Sequence, residues 1–97
     1  MVELNETIHQ TVRLRIMAAL TTLEAGNEVD FTYLRELLKV TDGNLGAHLH
    51  KLEEAGYIAV NKTFIDRKPR TFVSATTEGR RVFQEHVKAL EAILNSK

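Results

Sequence analysis

Arg67, Lys68 and Arg70 fall within four consecutive positions, opposed only by Asp66, and Lys62 stands five residues before them. Cations spaced in this way suit a polyanion, because each one neutralises a phosphate and frees a condensed counterion. Upstream, Leu45, Leu49 and Leu52 recur at i, i+4 and i+7, the spacing of one helical stripe. With those leucines turned inward, 100° steps place Gly43, Asn44, Ala47, His50 and Lys51 on the outer side, with His48 at the flank and Thr41 at the helix start. Asn pairs with adenine N6/N7, Lys reaches guanine or phosphate, and His donates to phosphate or a base edge. Taken singly, each residue has an ordinary alternative, since exposed helix faces are commonly just solvated and hairpin tips are often charged for solubility. An outward polar face followed at once by a basic ribbon points to double-stranded DNA.

These residues need elements to hold them. A first helix is expected over about Glu6 to Glu24, from Ile8, Val12, Ile16 and Leu20, with Ala25-Gly26-Asn27 ending it. Val29 and Phe31 suit a short strand. A second helix runs from Phe31 to Leu38, capped by Asp30 or Thr32, with Leu34, Leu37 and Leu38 inward. The third, capped by Thr41 or Asp42, stops at Gly56 in a left-handed C-cap. Two short helices joined by three or four residues make a helix-turn-helix over 31–56. Residues 57–76 read as a hairpin, the wing, with Pro69 at its tip, where a missing N–H breaks no ladder bond. Thr76-Thr77-Glu78 signals a last helix over 77–95. Its Phe83, Val87, Leu90 and Leu94, spaced close to a heptad, form a seam. Such a seam is expected to dimerise together with Ile8 and Val12, or else to fold back on the first helix. The fold class is mainly α with a small β-hairpin: one winged helix-turn-helix domain over 1–97, whose long terminal helices form a dimer interface.

Ninety-seven residues suit one domain with a real but small core. The net charge of zero conceals an uneven distribution: −3 over 1–30, −1 over 31–56, +4 over 57–81 and 0 thereafter. Phosphate responds to the local excess. With no Cys, disulfides, thiolate metal sites and Cys nucleophiles are excluded together. No signal peptide and no membrane-length apolar run is visible, so a cytoplasmic location is expected. His48 and His50 diverge by about 200° around a helix and cannot share an ion. His9 and His86 meet only if the terminal helices pack together. No phosphate loop, nucleophile motif or carboxylate pair suggests an enzyme. No metal or other cofactor is implied, and no effector is identifiable.

The stretches DFTYLRELL, DGNL…HL.KLEEAGYI, K.F..RKPRT and T.EGR together resemble the small winged-helix transcriptional regulators related to the MarR and ArsR groups, in particular their short bacterial and archaeal members. The resemblance spans nearly the whole chain. It implies a homodimer joined through terminal helices, with two recognition helices in successive major grooves and two wings at the flanking minor grooves. By position it implies Asn44, Ala47, His48 and Lys51 facing the groove and Arg67, Lys68 and Arg70 in the wing. Relatives often carry a pair such as Ser-Arg where this chain has Gly46-Ala47, so a phosphate or guanine contact is missing here. The expectation is therefore a homodimeric, sequence-directed DNA-binding regulator, a repressor acting by promoter occupancy. The rival reading is a winged-helix module for protein–protein contact.

Overall fold

In a computed structural model, which describes residues 4–96, the chain forms five helices and a three-stranded sheet. The helices are α1 (Glu6–His9), α2 (Thr11–Thr21), α3 (Phe31–Leu38), α4 (Asp42–Glu54) and α5 (Thr77–Leu94). The strands are β1 (Val29–Asp30), β2 (Ile58–Ile65) and β3 (Lys68–Ala75), antiparallel in the order β1-β3-β2. This is the winged helix-turn-helix architecture. Ile8, Ile16, Met17, Leu20, Leu34, Leu45, Leu52 and Val73 make the fully buried core, drawn from α1 to α4 and the sheet. The molecule nevertheless extends 56 Å along its longest axis against 25 and 21 Å across. Two parts project from the core: the far half of the hairpin, where every residue from Phe64 to Arg70 is exposed, and the end of α5, exposed from Glu91 onward.

The expected first helix is broken. Gln10 adopts an extended backbone (φ −61°, ψ 134°), and its side chain caps α2 by accepting from the Arg13 N–H. A four-residue periodicity runs through the break unaltered, so apolar spacing alone cannot register it. The helix also ends at Thr21, whose hydroxyl turns back to the carbonyls of Met17 and Ala18. Ile8 lies wholly inside the protomer and offers no surface to a second copy, contrary to the dimer contact expected of it. Val12 packs against the same core. Leu37, expected inward, is 49% exposed.

Local chemistry explains the junctions. Asp30 caps α3 by accepting from the Thr32 and Tyr33 N–H groups. Lys39, in the left-handed region (φ 56°), ends α3 and starts the turn into α4. Thr41 caps α4 by accepting from the Asn44 N–H at 3.1 Å. At the far end of α4, the Gly56 N–H reaches Glu53 O and the Tyr57 N–H reaches Leu52 O, with Gly56 left-handed (φ 82°), as in a Schellman motif.

Another glycine sets the position of α5. Gly79 lies so close to the turn after α4 that an added Cβ would sit 1.9 Å from Tyr57 O. Thr76 completes the joint: its N–H donates to Tyr57 O, its hydroxyl donates to Gly56 O, and its oxygen accepts the Gly79 N–H. Farther along α5, the Asn5 N–H donates to His86 Nδ1 at 3.2 Å, while His86 Nε2 stands 3.5 Å from His9 Nδ1. The accepting Nδ1 assigns the His86 proton to Nε2, so the ring is held neutral between two partners.

Gly79→Ala is expected to cost on the order of 3 kcal/mol, because backbone rather than a flexible side chain must yield; thermal denaturation measures it. Burial, with a smaller contribution from His9, lowers the pKa of His86 below its ordinary 6.5. The unfolded chain therefore takes up a proton that the folded chain refuses, and stability falls as pH drops through 6.5. Burial and the Arg13 charge act on His48 with the same sign. Denaturation midpoints between pH 7.5 and 5.5 should decline, and His86→Gln should flatten part of that decline.

Candidate nucleic-acid interface

The outer face of α4 is open. Thr41, Gly43, Asn44, Ala47 and Lys51 are all exposed, and the buried Leu45, Leu49 and Leu52 hold the opposite side against the core. A Cβ at Gly43 or Gly46 would meet nothing within 4 Å, so no neighbour in the protomer requires a glycine at either position. With Ala47 they leave a strip of low relief on the helix, across which a groove floor can come close to the backbone.

His48 differs from its neighbours. It is half-buried, and its Nδ1 accepts from Arg13 Nη1 at 3.2 Å, while Arg13 Nε is bonded to Thr7 O. Burial first, and then the Arg13 charge, lower its pKa, so the neutral ring is favoured. The acceptor role of Nδ1 leaves the proton on Nε2, a donor suited to guanine N7/O6 or a phosphate oxygen. His50 is exposed and sits 3.5 Å from Glu54. The two histidines thus have separate partners. Arg13 was not legible as part of this surface: it lies in α2, thirty-five residues from His48, and only tertiary packing brings it there.

The wing is a two-residue hairpin. Ile65 pairs with Lys68, and Asp66 and Arg67 between them both have positive φ (52° and 66°), the conformation of a type I′ turn. Pro69 is therefore not at the tip but on β3, opposite Phe64. It is tolerated because ladder alternation turns its nitrogen toward the β1 side, and β1 reaches only Val73 and Phe72. The pleat sorts the residues into two faces. Ile58, Val60, Lys62 and Phe64 share the core-side face with Ala75, Val73, Thr71 and Pro69. Ala59, Asn61, Thr63 and Ile65 lie on the other with Ser74, Phe72, Arg70 and Lys68.

That sorting separates the four predicted wing cations. Lys62 and Thr71 line a cleft of about 370 Å³ between the wing and α4, opposite Gly46, His50 and Glu53. Arg67 and Lys68 are exposed at the tip, remote from α4. Arg70 departs from the expectation: it lies on the far face and binds Asp30 through Nε (2.7 Å) and Nη2, with its guanidinium 5.7 Å from the Phe72 ring. Burial alone would raise the Asp30 carboxyl, but the bonds from Arg70, Thr32 and Tyr33 outweigh it and hold the pKa below the ordinary value. Arg70 thus ties the wing to the N-cap of α3.

The remaining arginines are also engaged. Arg35 neutralises Asp42 in the first turn of α4 (2.6 Å), Arg81 pairs with Glu78 and Glu85, and Arg80 donates to the Thr21 and Glu24 carbonyls. Among the described residues, Lys51, Lys62, Arg67 and Lys68 form no ion pair. No helix of the structure is long and apolar enough to cross a membrane.

Known proteins resemble this chain in sequence and in fold. An uncharacterized protein of Methanocaldococcus jannaschii is 39% identical over 79 residues, covering 81% of this chain and 83% of its own. The structure of a transcriptional regulator homologue from Pyrococcus horikoshii superposes with a TM-score of 0.85 at 30% identity, over 94% of this chain and 87% of that one. NadR, crystallised with 4-hydroxyphenylacetate, superposes with a TM-score of 0.72 at 23% identity, over 95% of this chain but 62% of its own, a likeness of fold alone. The fold is that of transcriptional regulators rather than enzymes. A family model for the winged helix DNA-binding domain matches residues 12–94, and the chain belongs to that family.

Proposed function

We propose that the protein is a homodimeric transcriptional regulator that binds double-stranded DNA in a sequence-directed way and represses by occupying promoters. The observation that carries this reading is the selective freedom of charge. Arg35, Arg70 and Arg81 are spent on internal ion pairs, whereas Lys51 on α4 and Lys62, Arg67 and Lys68 on the wing face solvent unpaired. In this reading α4 enters a major groove, wide enough at about 12 Å to admit a helix, and offers Asn44, His48 and Lys51 to base edges. Thr41 and Lys62 take flanking phosphates, and Arg67 and Lys68 reach the next minor groove.

The dimer is supported by α5. Its middle, through His86 and Ala89, is buried against the protomer, and Phe83 packs on the core, so the helix does fold back over that length. Beyond Leu90 it projects, with Ile93 49% and Leu94 81% exposed. The continuation of the apolar seam past the protomer's own edge is suited to a second copy, which would place two α4 helices on one duplex. Ile8 has no part in this interface.

Two measurements test the proposal. In fluorescence-anisotropy titrations of duplex DNA over a salt series, log K against log[salt] should slope steeply downward. Arg67→Ala/Lys68→Ala should reduce that slope by about 1.8 per protomer, at about 0.9 per lost phosphate contact. Arg70→Ala is the control, expected to lower stability and leave the slope nearly unchanged. Absence of binding at low salt would refute the DNA reading and favour a protein-contact module. In light scattering, the wild type should show twice the 11.0 kDa chain mass, and Leu94→Asp should shift it toward monomer and weaken DNA binding. A monomeric wild type would remove the dimer from the proposal.

A further inference from the structure

An exposed apolar patch on the wing lies beside cations that form no ion pair. Phe64, one residue before the tip turn, is 73% exposed, and its cross-strand partner Pro69 is exposed on the same face. On that face Lys62 lies one residue pair nearer the core, about 7 Å along the strand, and Arg67 stands just beyond at the turn. Ile65, 43% exposed, occupies the other face beside Lys68. Asp66 is the only acid in this stretch. Among the described residues nothing covers most of the Phe64 ring, and the cleft between the wing and α4 takes in Val60, Lys62 and Thr71 but not Phe64.

The patch is too small for a folded partner. One Phe, one Pro and one Ile fall far short of the roughly 800 Å² per side that a stable protein interface buries. It is, however, apolar, narrow and bracketed by cations. The whole ribbon is too wide for a minor groove about 6 Å across, but a single apolar side chain at its end suits entry there, and the flanking cations suit the phosphates on the groove walls.

On these grounds, and resting on the DNA reading above, we propose that Phe64, backed by Pro69, is an apolar wedge. The wing presses it into the minor groove beside the α4 site, where it loosens a base step and bends the duplex. The flexible pyrimidine–purine steps TA and CA are then the favoured place of entry, so the wing contributes sequence preference without a hydrogen bond to any base.

The test compares wild type, Phe64→Ala and Arg67→Ala/Lys68→Ala on two duplexes of about 30 base pairs, one rich in TA and CA steps and one built of A-tracts. Affinity is read by anisotropy across a salt series and bending by energy transfer between end-attached dyes. For Phe64→Ala the expectation is an affinity about ten-fold lower on the TA-rich duplex, an unchanged salt slope, loss of the bend and loss of the preference over A-tracts. The cation variant should instead reduce the slope. If wild type binds and Phe64→Ala binds and bends the DNA equally well, the wedge is wrong and the DNA reading stands. If wild type binds no DNA, the DNA reading itself fails and the wedge with it. If Phe64→Ala leaves DNA binding intact but alters the oligomeric mass, the patch serves a second copy and the wedge is refuted.

Discussion

The approach of Gly79 to the Tyr57 carbonyl is the contact on which the geometry turns. Three elements meet within a few residues there: the end of α4, the start of β2 and the start of α5. Backbone touches backbone, so there is no side chain whose rotamer can absorb a shift. The Thr76 bonds to Gly56 and Tyr57 then fix the return of β3 beside the departure of β2. The wing therefore has one angle relative to the exposed face of α4, and the projecting end of α5 has one direction relative to both. If the helix and the ribbon meet one duplex together, as proposed, such a joint spares the ordering cost that flexible positioning would add to every binding event.

Charge is organised by the same economy of position. The chain is neutral overall, yet its arginines fall into two groups. Those near carboxylates or helix ends build the fold: Arg70 joins the wing to α3, Arg35 offsets an acid at the start of α4, and Arg15 donates to Leu38 O at the end of α3. The lysines of α4 and the wing, together with Arg67, are left without carboxylate partners among the described residues. Exposed ion pairs add little stability, about 0–1 kcal/mol each, so the internal pairs matter more for what they remove from the surface than for what they contribute to folding. What remains, besides Lys39 and Lys88, is a positive path from Lys51 through Lys62 to the tip.

Much of this is legible in the sequence. The periodicity of Leu45, Leu49 and Leu52, the Gly56 cap, the Thr41 and Thr76 cap signals and the two runs of a hairpin over 57–76 are local patterns, and the elements formed there as read. The misreadings came where a pattern admits two backbones or depends on distant packing. Gln10 breaks a helix without interrupting its apolar spacing, and Leu37 has the right period at the edge of a helix too short to bury it. Pro69 looked like a turn residue because Pro usually is one, whereas the turn is made by two non-glycine residues at positive φ. The pairing of Arg70 with Asp30, forty residues apart, and that of Arg13 with His48 leave no local mark. Among candidate contacts, residue types on α4 were readable; which wing cations are free was not.

Lys39 in the helix-turn-helix turn, and Asp66 and Arg67 at the wing tip, sit in a region where a residue with a Cβ is disfavoured by roughly 1–2 kcal/mol and glycine is not. A hairpin selected for stability alone would place Asn-Gly at 66–67. The tip instead carries Arg67 at a conformational cost, beside a Phe64 ring that hydration also disfavours. Little within the described residues compensates them: Phe64 is 73% exposed despite Pro69 beside it, and Arg67 forms no ion pair. Two independent penalties fall at the same few ångströms, one steric and one hydrophobic. A bound duplex would relieve the second and put the first to use, by holding a guanidinium where the groove potential is deepest. Both costs are concentrated at the end of the wing that projects from the fold.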